Sequence, residues 1–291
     1  MRSEGSRLTV SLTGLPAVLL LVLFSFQSLH AAERSPLEPV DTSSPRATLT
    51  GFLTELDAIW ALFHDRYWDT PSKQLETKIF IGAARVLRAL DLSEFPPSTR
   101  IEAGYDAGTF LYETLSRIEL PPVDDIPDAG YFAGKEGPAE WTIPRTDITI
   151  ARVNEGPRKG EFLFSAATVK RAHEFFLKTQ SLPYVRDVPV ANTQQIRQVI
   201  PGWWLSTASI YQLPEWMRHV VLEQAVWKWV ALAVLLLIII TLIVVVYRLT
   251  RRGEPKTAVG DYLRRLALPV FVLVLIPPVS YLITEQINII S

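Results

Sequence analysis

From Trp229 to Tyr247 the chain carries one polar residue, Thr241, and no charge. About 20 apolar residues cross the ~30 Å hydrocarbon core of a bilayer, so this run has the length of one span. A helix in the core of a soluble protein seldom reads apolar on every face for so long. The pattern predicts a transmembrane helix over residues 227–247. A second apolar run, Leu266–Ile283, predicts another span, interrupted by Pro269, Pro277 and Pro278. Those prolines remove backbone donors and are the candidate hinge positions, against the plainer reading of a bend without a task. Near the N-terminus, Arg2 and Arg7 precede the apolar run Leu15–Phe26 and then Ser28-Leu29-His30-Ala31-Ala32. A basic start, a short apolar stretch and small residues read as a secretory signal over residues 1–32, with a cleaved signal and an uncleaved anchor both open.

Between these ends the periodicity is that of a folded domain. Residues 33–44 mix proline, serine and charge and read as a tether. Ser44-Pro45 then offers a serine cap and a first-turn proline, followed by Leu49, Phe52, Leu56, Ile59, Trp60 and Phe63 at helical spacing. Thr70-Pro71-Ser72 opens a second helix carrying Leu75, Ile79, Ala83, Val86 and Leu90, closed by Phe95-Pro96-Pro97. Ile101–Leu120 predicts a third, closed by Pro121-Pro122, and the proline- and glycine-rich residues 121–140 read as a loop. Asp147–Val153 alternates with the period of a strand, and Glu161–Ser165 can pair with it across Asn154–Gly160. Ser165 caps a further helix through Val169, Ala172 and Phe175. The expected fold is an exported α+β domain over residues 45–200, mostly helical with one β-hairpin, followed by an all-α two-helix transmembrane hairpin.

Charge supplies the direction. Residues 248–265 carry Arg248, Arg251, Arg252, Lys256, Arg264 and Arg265 against Glu254 and Asp261, a bias that keeps a short loop cytoplasmic. The domain then lies on the export side, in agreement with the signal, and the localisation implied is a bacterial inner membrane. Trp227, Trp229 and Tyr247 are the rings expected at the two water interfaces, joined by Trp203, Trp204 and Trp216 in a membrane-proximal segment over residues 201–226. Those last three tryptophans lie on the bilayer surface or pack into the domain, and the pattern does not choose.

Chemistry adds little. The net charge of −1 argues against a nucleic-acid partner, and the absence of cysteine removes thiol and disulfide chemistry. His30, His64, His173 and His219 are dispersed, and no zinc-protease, nucleophile-elbow or phosphate-loop motif is present. Asp124, Asp125 and Asp128 read as a solvated turn rather than a calcium loop, which needs six or more placed oxygens. No catalytic, cofactor or metal residue is assigned. Arg46, in the first turn of a helix, opposes the helix dipole and calls for a carboxylate partner.

Several stretches resemble one family. Ser44-Pro45-Arg46-Ala47-Thr48-Leu49 with Gly51-Phe52-Leu53, and Phe164-Ser165-Ala166-Ala167-Thr168-Val169, are similar to parts of an exported domain of some MscS-like mechanosensitive ion channels. Leu213-Pro214-Glu215-Trp216, Trp227-Lys228-Trp229 and Glu285-Gln286-Ile287-Asn288-Ile289 resemble the approach to the first span and the loop after the second. The resemblance covers residues 45–291. It implies the front section of a channel that senses membrane tension, with the lipid bilayer as partner and a homo-oligomer in the full-length form. The family's pore helix and cytoplasmic domains have no counterpart here, so residues 284–291 are expected to end a fragment. The alternative is a membrane-anchored periplasmic sensor or binding module.

Overall fold

In the computed structural model the described residues are 39–132, 134, 139–251 and 258–288, by backbone alone between 258 and 265. The expected secretory signal over residues 1–32 and most of the expected tether lie outside them. Ser44 caps the first helix, α1 (Pro45–Leu62), its hydroxyl accepting from the Ala47 amide at 3.2 Å. A π-helical turn, Phe63–Tyr67, extends it. Ser72 caps α2 (Lys73–Val86) in the same way, through the Leu75 amide. The third helix, α3 (Arg100–Leu115), stops five residues before the proline pair that the sequence suggests as its end. Strands β1 (Glu140–Thr142), β2 (Thr149–Arg152) and β3 (Phe162–Phe164) form one antiparallel sheet in that order. The expected hairpin is β2–β3; β1 adds a third strand from the margin of the expected loop, pairing Trp141 with Ile150. Its three residues are too few for periodicity to reveal.

The helix after Ser165 is broken into α4 (Ala166–Lys170) and α5 (Ala172–Thr179) at Arg171. Further on come α6 (Thr193–Val199), α7 (Thr207–Tyr211), α8 (Glu215–Arg218) and a small hairpin, β4 (Val220–Val221) with β5 (Gln224–Ala225). Two long helices follow, α9 (Val226–Arg251) and α10 (Ala258–Tyr281), which pack on one another. Both are long and apolar enough to cross a membrane. The protein is thus mostly helical, with small antiparallel sheets and two long apolar helices at its C-terminal end.

The core lies between α1, α3 and the inner face of the sheet. Leu49, Phe52, Leu111, Leu115, Ile150 and Phe164 are all buried there, and the Phe52 and Phe164 rings meet edge to face at 5.0 Å. The outer edge of β3 is covered. The Phe162 amide donates to the Thr42 carbonyl at 2.7 Å, and the Asp91 amide to the Phe164 carbonyl at 2.9 Å. An uncovered edge would invite pairing with another chain.

Beside this core lies a buried polar cluster. Glu113 and Arg117, four residues apart at the end of α3, form an ion pair with side chains 1% and 3% exposed. Arg117 Nη2 also donates to the Tyr184 hydroxyl at 2.7 Å and to Asn192 Oδ1 at 3.2 Å. The second carboxylate oxygen of Glu113 accepts from the Thr193 amide at 2.7 Å and from the Thr193 hydroxyl. Asn192 adopts a left-handed conformation at φ 56, which aims the first amide of α6 at that carboxylate. Glu113 therefore caps a helix that begins 80 residues downstream in sequence.

Arg46 finds its carboxylate. Its guanidinium donates to the carbonyls of Asp124 and Ile126, both at 2.9 Å, and sits 3.6 Å from Asp128 Oδ2. The aspartate turn and the first turn of α1 thus explain one another.

Arg117→Ala leaves the Glu113 carboxylate buried without its cation, and the expected loss of stability is about 3–5 kcal/mol. Urea unfolding in detergent, followed by near-ultraviolet circular dichroism, measures it; a loss below about 1 kcal/mol would show that water replaces the guanidinium freely. The Tyr184 phenol is pushed up to about 12 from 10.0, first by burial and then by its bond to Glu113. A folded value above the unfolded one stabilises the fold fully below the unfolded value, and that contribution disappears as pH rises toward about 12. Tyr184→Phe is accordingly expected to flatten the alkaline limb of a stability–pH profile.

Candidate functional site

The site is the place where the globular domain holds both long helices. It is built on the segment Val199–Trp204, which leaves α6 with Ile200, Pro201 and Gly202. From the first long helix, Trp227 donates its indole N–H to the Val199 carbonyl at 3.0 Å. The ring is only 5% exposed, packed with Val199, Ile210 and Ala225. From the far end of the second, the Gln286 carbonyl accepts from the Gly202 amide at 2.8 Å, and Gln286 Oε1 from the Trp204 amide at 3.1 Å. Asn288 Nδ2 reaches the Ile200 carbonyl at 3.4 Å. Four backbone positions of one short segment thus hold the start of one helix and the end of the other.

A lysine joins the helices directly. Lys228, on the first turn of α9, is 0% exposed and donates to Gln224 Oε1 at 3.1 Å and to the Asn288 carbonyl at 2.7 Å. Both acceptors are neutral oxygens. Removing an ammonium from water costs several kcal/mol, and hydrogen bonds to dipoles recover part of it. The position is therefore held by geometry: if Asn288 withdraws, the ammonium loses an acceptor. Glu285 adds a peripheral tie, an ion pair with Lys73 of α2 at 3.1 Å.

Glycine is required at one point. A methyl group at Gly202 would lie 1.8 Å from the Glu285 carbonyl oxygen and 2.7 Å from Gln286 Cα, both backbone atoms that cannot step aside cheaply. The close approach of the two chains depends on the absent side chain.

The tryptophans separate into two groups. Trp203 is half-buried against the main core and Trp227 is buried at the junction, so these two are packing residues. Trp204 and Trp216 are exposed, as is Trp229, whose indole N–H donates to the Val221 carbonyl at 3.0 Å. Trp204 also lies 5.8 Å from the Tyr281 ring. The tip of the β4–β5 hairpin adds Leu222, 80% exposed. At the other end of α9, Tyr247 is exposed with the Arg251 guanidinium 4.6 Å over its ring, and Arg248 is exposed beside it. Arg252, Lys256, Arg264 and Arg265 fall among side chains outside the described residues.

Helix α10 runs unbroken through Pro269, Pro277 and Pro278. The irregular backbone comes after them, as a π-helical turn over Leu282–Gln286. Such widened turns recur where a helix must place a particular side chain or yield locally. Here the turn delivers Gln286 to Gly202 and Trp204.

Sequence reasoning missed Lys228, Gln286 and Asn288 as a set. Lys228 was legible as a cation between two tryptophans at the mouth of a span; its acceptor, 60 residues away, was not. Among the described residues no group of three or more histidine, aspartate or glutamate side chains is placed to hold a metal ion.

Comparison with family models, with curated proteins and with solved structures finds no match for this chain. Function therefore rests on the junction. Gly202→Ala should separate Val199–Trp204 from the end of α10, with the loss of two hydrogen bonds worth about 1 kcal/mol each and a roughly thirtyfold rise in amide exchange at residues 202–204 and 286–288. Gly108→Ala is the control, since a methyl group there meets only ordinary contacts at 3.7 and 3.9 Å. Unchanged exchange in Gly202→Ala would rule out the junction as a tight contact.

Proposed function

We propose that this chain is the tension-sensing front section of an MscS-like mechanosensitive ion channel, without catalytic activity of its own. In this reading the domain is exported to the periplasm of a bacterial cell, the two long helices cross the inner membrane, and the arginine-rich end of α9 faces the cytoplasm. The pore and its homo-oligomeric ring belong to downstream sequence. One observation carries the reading: both domain-facing ends of the helical pair converge on Val199–Trp204. Lateral tension that tilts one helix against the other then works on a few defined hydrogen bonds instead of a flexible linker. A switch without a ligand needs two arrangements whose energies respond differently to membrane stretch, and a junction of discrete contacts supplies a candidate for the closed one.

The direction of insertion has support from composition. Arg248 and Arg251 sit at the end of α9 remote from the domain, and basic residues favour the cytoplasmic side. The second reading, a membrane-anchored sensor or binding module, is favoured by an apolar cavity of about 200 Å³ between α1, α2 and α3.

A reporter fused after Arg252 is expected to read cytoplasmic and one inserted at Gly160 exported; the reverse pattern would overturn the orientation. A longer relative carrying this chain ahead of a pore should give stretch-activated currents in membrane patches, and this chain alone none. Gly202→Ala in that relative should shift the tension threshold. Currents indifferent to tension, or none from the longer protein, would sink the channel reading and leave the sensor.

A further inference from the structure

Two cavities share a wall beside the junction. The first, about 200 Å³, is apolar and lies among Ile59, Trp60, Ile79, Ala83, Val86 and Gly108. The second, about 280 Å³, is more polar and ends at Lys73, Glu76, Thr284 and Glu285. Phe63, Ile79, Phe80 and Ile200 line both. The two spaces are therefore adjacent, and the second reaches the residues that directly follow α10, where a bilayer's headgroups would lie if α10 spans it. Apolar cavities of about 150 Å³ accept apolar guests, and this one is of that order. Of the two glycines in its lining, Gly108 meets only ordinary contacts, whereas a methyl group at Gly104 would lie 2.7 Å from the Leu87 side chain and 2.9 Å from that of Leu92.

We propose that the two cavities hold one zwitterionic phospholipid of the adjoining leaflet, with an acyl chain between α1, α2 and α3. Its headgroup lies at Lys73 and Glu285. The charges at the polar end fit this occupant. Lys73 Nζ stands 2.6 Å from Glu76 Oε2 and 3.1 Å from Glu285 Oε2, one ammonium between two carboxylates. A headgroup phosphate takes hydrogen bonds from Lys73, while its ammonium replaces Lys73 as the partner of Glu285. An anionic headgroup would bring a third negative charge to the two carboxylates. Lys73 and Glu285 are each about half exposed and accessible to a headgroup, and the exposed Phe80 ring stands at the mouth of the apolar cavity. The inference rests on α9 and α10 lying in a bilayer and is independent of channel activity.

The test uses the full chain in nanodiscs containing phosphatidylethanolamine with a diazirine at the end of one acyl chain. After irradiation, adducts are mapped by peptide mass spectrometry. Adducts within residues 56–63 and 79–87, beside those on the spans, are expected; adducts confined to residues 229–286 would overturn the proposal. Ala83→Trp, which fills the apolar cavity, should lower the domain adducts by about tenfold and leave the span adducts unchanged. Undiminished domain adducts would count against the cavity. If Ala83→Trp does not fold, Gly108→Leu makes the same test from the α3 side. Replacing the probe by the equivalent phosphatidylglycerol should weaken domain labelling several-fold, and equal labelling would refute the headgroup assignment. A diazirine fatty acid added from water to unlabelled nanodiscs, if it labels the domain more strongly than the phospholipid, would show a soluble amphiphile in place of a bilayer lipid. Loss of adducts on the spans themselves would instead refute membrane insertion, a failure distinct from that of the cavity.

Discussion

The contact on which the arrangement turns is the capping of α6 by Glu113. Its carboxylate accepts from the first amide of that helix while its other oxygen holds Arg117. A helix of seven residues has little stability alone, because nucleation consumes most of what a few hydrogen bonds return. Anchored at Thr193, it projects Val199 and Ile200 to the point where Trp227 and Asn288 meet them. Arg197 adds a second anchor on α3, reaching Asp106 Oδ1 and Thr109 Oγ1, each at 3.0 Å. The path from the buried ion pair to the long helices is short, and each step is a named hydrogen bond.

The long helices obey a different constraint. At 1.5 Å per residue the 26 residues of α9 extend about 39 Å, more than the roughly 30 Å of hydrocarbon in a bilayer. Part of the surplus is used at the domain end, where Trp227 and Lys228 are enclosed by protein. A lysine there would be costly against lipid but is tolerable beside Gln224 and the Asn288 carbonyl. The second helix has the opposite arrangement: prolines along its length and its irregular turn at the domain end, where protein accepts the freed backbone groups.

Much of this was readable along the chain. Ser44, Ser72 and Ser165 marked their helix starts because a cap is a contact between residues three apart. The apolar run from Trp229 to Tyr247 announced a helix long and apolar enough to cross a membrane, because every face of such a helix must suit the same solvent. The β2–β3 hairpin followed from alternation and a turn. Strand β1, helix α6 and the break at Arg171 did not follow. Strand β1 has too few residues to show alternation, and α6 is fixed at its start by Glu113, 80 residues away. Trp227 and Trp229 illustrate the limit, since two residues with the same composition signal face a packed interior and an open surface respectively.

The sequence by itself determined what depends on local spacing or bulk composition: the helix starts, the hairpin, two spans' worth of apolar length, and the basic bias beyond α9. It also indicated that Arg46 needed an acceptor. Tertiary structure alone decided which acceptor, and brought Glu113 to Thr193, Lys228 to Asn288 and Gly202 to Gln286. These are pairings between polar groups 60 to 84 residues apart, and hydrogen bonding has no periodicity that a linear pattern can carry. The junction therefore became visible only when the fold closed the distance between the ends of two helices that the sequence had placed apart.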